Sequence, residues 1–240
     1  MNTIKINGGR VKMIAHRGLS GLEKENTCSA FVAAGNREGI FGIETDVHVT
    51  ADGQYIIIHD DDTKRVGLDQ ISVEGSSYET LRGLRLADID GKRGRRDLCL
   101  PSLEEYLGIC KKYEKTCVLE LKNQLRAGDV YKIISACEKA DCMDKLIVIS
   151  FQLKNLIYLR RRYPELPAQY LLKTWDDRSL ETLKTYHLGL DMDYKALTKE
   201  IVDQVHEAGF QVNCWTVNDP ADGERLIEMG VDYITTNILE

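Results

Sequence analysis

Two acidic residues stand two positions apart inside an otherwise apolar stretch, Phe41-Gly42-Ile43-Glu44-Thr45-Asp46-Val47. In a β-strand alternate side chains share a face, so Glu44 and Asp46 point one way while Ile43, Thr45 and Val47 point the other. Like charges on one face of a buried strand cost several kcal/mol each unless a positive group compensates them. They therefore either reach solvent or hold a cation. Glu120-Leu121-Lys122 repeats the spacing with an acid and a base. Glu44, Asp46 and Glu120 together offer hard oxygen ligands, which suit Mg²⁺, Ca²⁺ or Mn²⁺ better than zinc. His16 and His59, with ordinary pKa values of about 6.5, supply an acid–base pair. Arg17 and Lys122 add the fixed positive charge that a phosphate transition state needs, and Trp215 adds an aromatic plate. A hard cation, a proton donor–acceptor pair and two basic groups read as hydrolysis of a phosphoric ester.

The elements that must present these residues follow from the rhythm of the chain. Val11–His16 is a short apolar run ended by Arg17-Gly18, and Thr27–Arg37 has helical spacing through Ala30, Phe31, Ala33 and Ala34. The acidic strand comes next, and Ala51-Asp52-Gly53 turns it into Tyr55–His59. Too few residues separate these two strands for the helical crossover of a parallel pair, so they are expected to form a hairpin. Setting Glu44 opposite His59 would put Glu44, Asp46 and His59 on one face. Residues 60–100 have no sustained period and one short helical stretch at Tyr78–Leu84, and read as a small subdomain inserted at one end of the fold.

After Pro101 the alternation becomes regular. Ser102 and Glu105 form a capping box for a helix through Tyr113. Strands at Thr116–Lys122, Leu146–Phe151, Ala168–Leu172, Leu188–Met192, Phe210–Val217 and Val231–Thr235 then alternate with helices over Gly128–Ala140, Leu153–Arg162, Arg178–Tyr186, Thr198–Ala208 and Asp219–Met229. Leaving out the hairpin's return arm, eight strands with helices between them give an α/β fold, the (β/α)8 TIM barrel. The sequence stops at Glu240, short of a full eighth helix; what covers that side is left open, with Met1–Arg10 and a partner subunit of a homo-oligomer as the two candidates. Catalytic groups of such barrels gather at the C-terminal strand ends, where His16, Arg17, Glu44, Asp46, His59, Glu120, Lys122 and Trp215 all fall.

At 240 residues the chain suits one large domain, residues 1–240, with 60–100 inserted in it. A net charge of −6 argues against a general nucleic-acid binder and against an anionic membrane surface. Met1–Arg10 lacks the apolar run of a signal peptide, and no stretch approaches membrane-spanning length; a cytoplasmic protein without integral membrane association is expected. The seven cysteines, an odd number without a C-x-x-C pair, read as free thiols in a reducing compartment.

The sequence also resembles a known family, the glycerophosphodiester phosphodiesterases. The resemblance runs from His16-Arg17-Gly18 through Gly21-Leu22, Glu25-Asn26-Thr27, Ala30-Phe31, Glu44-x-Asp46-Val47, Thr50-x-Asp52-Gly53 and His59-Asp60. It continues with Pro101-Ser102-Leu103-Glu104-Glu105, Glu120-x-Lys122, Ser150-Phe151, Trp215-Thr216-Val217-Asn218 and Gly230-Val231-Asp232, closing on Ile234 and Thr236-Asn237. The resemblance implies a divalent metal cation (Mg²⁺, Ca²⁺ or Mn²⁺) on Glu44, Asp46 and Glu120, with His16 and His59 as acid and base. It implies that Arg17 and Lys122 hold the phosphate and that Phe151 and Trp215 border the glycerol end of a small glycerophosphodiester. The family's reaction yields glycerol 3-phosphate and an alcohol, through attack of the glycerol 2-hydroxyl and a cyclic phosphate.

Three departures stand out. Lys24 replaces the usual proline before Glu25, Asp61-Asp62-Thr63-Lys64-Arg65 is more acidic than usual, and Asn237, expected to be structural, replaces the commoner aspartate. Other readings remain open: a phospholipase D-like or lysophospholipid-cleaving barrel with the same site, a non-catalytic barrel that binds phosphorylated ligands, and an aldolase using Lys122 as a Schiff base. Basic residues 92–96 read as a solvated loop or as a docking patch for a phosphate-bearing substrate.

Overall fold

A computed structural model of the chain describes residues 2–240. Strand β1 (Lys12–Ala15) leads through helix α1 (Cys28–Gly35) to β2 (Ile40–Val49), and β3 (Tyr55–Ile57) folds back antiparallel on β2. Short helices α2 (Lys64–Gly67) and α3 (Tyr78–Arg82) follow, then α4 (Leu103–Lys112) and β4 (Thr116–Leu121). The chain continues as α5 (Ala127–Lys139), β5 (Leu146–Ser150), α6 (Leu153–Arg162), β6 (Ala168–Leu172), α7 (Ser179–Tyr186) and β7 (Gly189–Asp193). It ends with α8 (Lys199–Glu207), β8 (Val212–Trp215), α9 (Pro220–Met229) and β9 (Tyr233–Thr236). The strands run β1-β9-β8-β7-β6-β5-β4-β2-β3, and β1 also pairs with β2. That last pairing closes eight parallel strands into a barrel, leaving β3 outside the ring as a flap on β2.

Local chemistry fixes several joints of this barrel. Ser102 accepts from the Glu105 amide while the Glu105 carboxylate accepts from the Ser102 amide, the reciprocal cap that starts α4. The buried Tyr106 hydroxyl then donates to the Ile43 carbonyl at 2.7 Å, tying α4 to the acidic strand. On the outside of β2, Ile43 and Val47 pack with Phe31, Leu103 and Tyr106; inside the barrel, Ile14, Val118, Ile147, Ile149 and Leu171 form a separate apolar plug. Each strand thus has an inner and an outer face, as the alternation required. Five of the cysteines, Cys110, Cys117, Cys137, Cys142 and Cys214, are buried in the outer layer as free thiols.

Among the described residues no helix follows β9, and the N-terminal segment occupies that side of the barrel. Ile4 and Ile6 donate their amides to Ile238 and Glu240 at 2.9 and 2.8 Å, and Ile6 reaches Gly223 of α9. Segment 60–100 packs around its own apolar cluster of Val66, Val73, Leu81, Leu86, Leu98 and Leu100, joined by Ile56 and Ile58 from the flap. Its basic run is engaged in ion pairs: Arg93 with Asp69, and Arg95 with Asp97 and Glu23, the last from the loop after β1.

The hairpin register differs from expectation. Val47 pairs with Ile57 and His48 with Ile56, and the Ile58 amide donates to the Asp46 carbonyl, so His59 is not opposite Glu44. The physical reason lies in the flap's own alternation. Ile56 and Ile58 must face the cluster of segment 60–100 while Ile57 faces the main core, and this sets the register one residue away. His59 comes after the last paired residue, where the chain bends, and enters the barrel mouth from the loop.

Candidate active site

A cavity of about 120 Å³ opens at the C-terminal ends of the strands, lined by His16, Arg17, Glu44, His59, Glu120, Ile149, Phe151, Leu171, Asp191, Trp215, Thr216 and Thr235. Asp46 and Lys122 border it: the Lys122 ammonium lies 2.9 Å from Glu120 and 3.5 Å from Asp46. All nine residues singled out in the sequence therefore meet at one mouth. They come from the end of β1 and the loop after it, from β2, the loop after β3, β4 and its end, the end of β5, and β8.

The loop after β1 is held in an unusual shape. Arg17 and Asn26 adopt left-handed backbone with φ of 55° and 50°. Between them Gly18 has φ +76°, and a Cβ there would lie 2.6 Å from the Ala30 carbonyl carbon, so only glycine fits against α1. This geometry points the Arg17 amide at Glu44 (2.8 Å) and brings its side chain to Glu25 (2.8 Å) and Asp46 (3.6 Å).

One carboxylate oxygen each from the buried Glu44, Asp46 and Glu120 lies within 4.8 Å of the others. Oxygens bound at about 2.0–2.6 Å to a single Mg²⁺ or Ca²⁺ span such separations. Asp46 Oδ1 is buried without a hydrogen-bond partner, while its Oδ2 accepts from Asn26 at 2.7 Å. An unfilled lone pair facing two further carboxylates is what a hard cation would complete, so the donor set fits such an ion.

Electrostatics sort the groups further. Burial, then the charge of Asp46, pushes the Glu44 and Glu120 carboxyls up. Burial would raise Asp46 too, but Lys122 and Arg17 outweigh it and hold it below the usual carboxylate range. Lys122 behaves oppositely: burial would lower it, and Asp46 and Glu120 keep it raised and charged. A Schiff-base lysine requires a depressed pKa, so this environment disfavours the aldolase reading.

Both imidazoles are anchored through Nδ1. His16 Nδ1 is 2.8 Å from Asn237 Oδ1, and since an amide oxygen only accepts, with the amide in this orientation His16 Nδ1 carries the proton and Nε2 is left as acceptor. His59 Nδ1 lies 2.6 Å from Asp60, which Arg65 supports with a second bond of 2.6 Å. Burial, then Arg17, lowers His16 to about 4; burial lowers His59 as well, opposed by Asp46 and the Asp60 hydrogen bond.

A sequence profile of the Glycerophosphoryl diester phosphodiesterase family matches residues 16–240. The chain belongs to that family. It is accordingly a phosphodiesterase that hydrolyses glycerophosphodiesters. It is 29% identical over 252 residues to a glycerophosphodiester phosphodiesterase of Bacillus subtilis, covering 95% of this chain and 84% of the relative. A glycerophosphodiester phosphodiesterase of Caldanaerobacter subterraneus subsp. tengcongensis is 28% identical, covering 94% and 93% of the two chains. Among solved structures, an Oleispira antarctica phosphodiesterase in complex with the product sn-glycerol-3-phosphate superposes with a TM-score of 0.87, at 25% identity and over 94% and 92% of the chains. No helix among the described residues is long and apolar enough to cross a membrane.

Several groups of the phosphodiesterase's mouth were not singled out from sequence. Glu25 ties Arg17 to Arg65, and Asn26 bridges Asp46 and Thr45. Asn237, expected only to be structural, contacts His16 Nδ1 at 2.8 Å. His48, without a nameable partner in the sequence, is fully buried in β2 and contacts Glu74 at 3.1 Å. Asp191 sits in Gly189-Leu190-Asp191-Met192-Asp193, which carries the same two-residue acid spacing as β2 and could have been found by it.

Proposed function

We propose that Glu44, Asp46 and Glu120 hold one divalent cation, Mg²⁺, Ca²⁺ or Mn²⁺, and that His16 and His59 are the base and acid of the hydrolysis. Arg17 and Lys122 hold the phosphate, Phe151 and Trp215 border the glycerol end, and segment 60–100 forms a subdomain beside the mouth. The cation, when bound, polarises a phosphoryl oxygen and offsets the negative charge that grows on it. The observation that carries this reading is the convergence, in one cavity, of two Nδ1-anchored imidazoles with a three-carboxylate cluster and two cations.

The anchoring suggests how the protons move. His16 is buried beside the Arg17 guanidinium with only the neutral Asn237 behind it, so it is neutral at pH 7 and suited to take the proton of the glycerol 2-hydroxyl as that oxygen attacks phosphorus. His59 has the Asp60 carboxylate behind it, which offsets part of the lowering by burial and makes it the better placed of the two imidazoles to protonate the departing alkoxide. The P–O bond to the headgroup breaks as the ring P–O bond forms. Water then opens the cyclic phosphate with the two proton roles reversed, giving glycerol 3-phosphate.

Release of glycerol 3-phosphate from glycerophosphocholine and glycerophosphoethanolamine tests the reading. His16→Ala and His59→Ala should each lower kcat by about 10²–10⁴-fold with the fold intact by circular dichroism. Near-normal turnover by both variants would refute the assigned roles.

A further inference from the structure

Among the described residues, four buried side-chain polar atoms have no hydrogen-bond partner. Two of them, on Arg17 and Asp46, belong to the charged cluster. The other two, Asp191 Oδ1 and Trp215 Nε1, are on the opposite wall of the same cavity. Asp191 is 1% exposed; on β7 it is level with Leu171 of β6 and Asn213 of β8, and no basic side chain pairs with it. Trp215 packs edge-to-face on Phe151 with centroids 5.6 Å apart. An orphaned buried donor or acceptor costs about 1–3 kcal/mol, so two of them facing one small cavity call for a ligand that satisfies both.

A hydroxyl group does so, because it accepts one hydrogen bond while donating another. A phosphate does not suit this wall: no cation lines it, Lys173 standing outside with its ammonium 5.9 Å from the Phe151 ring centroid, and the remaining lining is Ile149, Phe151 and Leu171 with the hydroxyls of Thr216 and Thr235. We infer that Asp191 is a specificity-determining residue that, together with Trp215 Nε1, binds the free terminal hydroxyl of the glycerol moiety, the one on the carbon remote from phosphorus. Trp215 Nε1–H donates to the hydroxyl oxygen, and the hydroxyl O–H donates a hydrogen bond to Asp191 Oδ1. The inference rests on the proposed function, since it places the phosphate on the opposite wall.

A chemical choice follows. A substrate lacking that hydroxyl leaves both protein atoms unpaired, and a lysophospholipid, whose terminal oxygen is esterified, offers no proton to Asp191 and must press an acyl ester against it. Sites built around a substrate hydroxyl discriminate strongly against analogues without it. The enzyme would therefore act on fully deacylated glycerophosphodiesters in preference to lysophospholipids.

The test compares kcat/KM for glycerophosphocholine, 2-hydroxyethyl phosphocholine, which keeps the attacking hydroxyl but lacks the terminal one, and 1-acyl lysophosphatidylcholine. The wild-type enzyme should prefer the first over both others by at least about tenfold. Asp191→Leu, with Asp191→Ala as the smaller substitution should leucine not fold, and Trp215→Phe should each shrink that ratio toward unity, and Asp191→Asn, which keeps an acceptor oxygen, should retain most of it. A wild-type enzyme that treats the three substrates alike, or folded variants with an unchanged ratio, would overturn the inference. Failure of the wild-type enzyme to cleave any of them would instead count against the proposed function.

Discussion

Strand β2 carries Glu44 and Asp46 two residues apart, and β7, diametrically across the barrel, carries Asp191 and Asp193 at the same spacing. On β2 both acids turn inward and are met by Arg17, Lys122 and Asn26. On β7 only Asp191 is buried in the barrel; Asp193 ends the strand and accepts from the Lys195 amide at 3.0 Å. Burial, then the charge of Glu120, drives the Asp191 carboxyl well above its ordinary range; Asn213 opposes this only weakly and no cation is there to do so. Spacing alone therefore nominates an inward face. What that face can do depends on which charges other strands bring to it: a compensated cluster suits an ion, and an uncompensated acid suits a neutral hydroxyl.

Lys122→Met offers the strongest way to break this contrast. It should lower kcat by about 10²–10³-fold for every diester alike, because the phosphate is common to all, whereas changes on β7 and β8 alter the ratio between substrates. A Lys122 variant that changed substrate preference instead would erase the division between the two walls.

Asn237 allows a smaller and more specific test. Asn237→Leu removes the acceptor from His16 Nδ1 and should reduce activity by about 10–100-fold, as loss of an orienting partner does elsewhere. Asn237→Asp would place a carboxylate behind an imidazole that burial and Arg17 hold at about 4. The protonated form gains from that carboxylate, so the acid limb of the kcat/KM–pH profile should move to higher pH. An unmoved limb would separate His16 from the rate-determining proton transfer.

The mildest effect is on stability. Burial would raise Glu25 and Asp60, but Arg65 and, for Glu25, Arg17 hold both down to about 2. Their folded values lie below the unfolded ones, so this support is complete above about pH 4.5 and is lost as pH falls through about 2. Arg65→Ala should therefore lower Tm at neutral pH, with the gap to wild type closing on acidification; a gap that widened in acid would contradict the linkage.

The barrel was legible because its strand–helix alternation is a local property, and the charged wall because acids, histidines and a lysine stand where strands end. Other parts depended on contacts that no local pattern encodes. Asn26 meets Asp46 across 20 residues and Asn237 meets His16 across 221. The position of His59 came out at the right mouth for a different reason than expected: the apolar demands of Ile56 and Ile58 set the flap's register, and the bend after it delivers the histidine. Segment 60–100 has no period to read because a second apolar cluster and the ion pairs of Arg93 and Arg95 hold it together. Asp191 was overlooked although its spacing matched that of β2, since nothing nearby in sequence marked its face as part of the site.

The central claim is that acids from β2 and β4 share one hard ion, and titration calorimetry of Mg²⁺, Ca²⁺ and Mn²⁺ into chelator-treated protein tests it directly. One ion should bind per chain, raising Tm, and Glu120→Gln and Asp46→Asn should each weaken or abolish that binding. Full turnover in EDTA together with no saturable ion binding would contradict it.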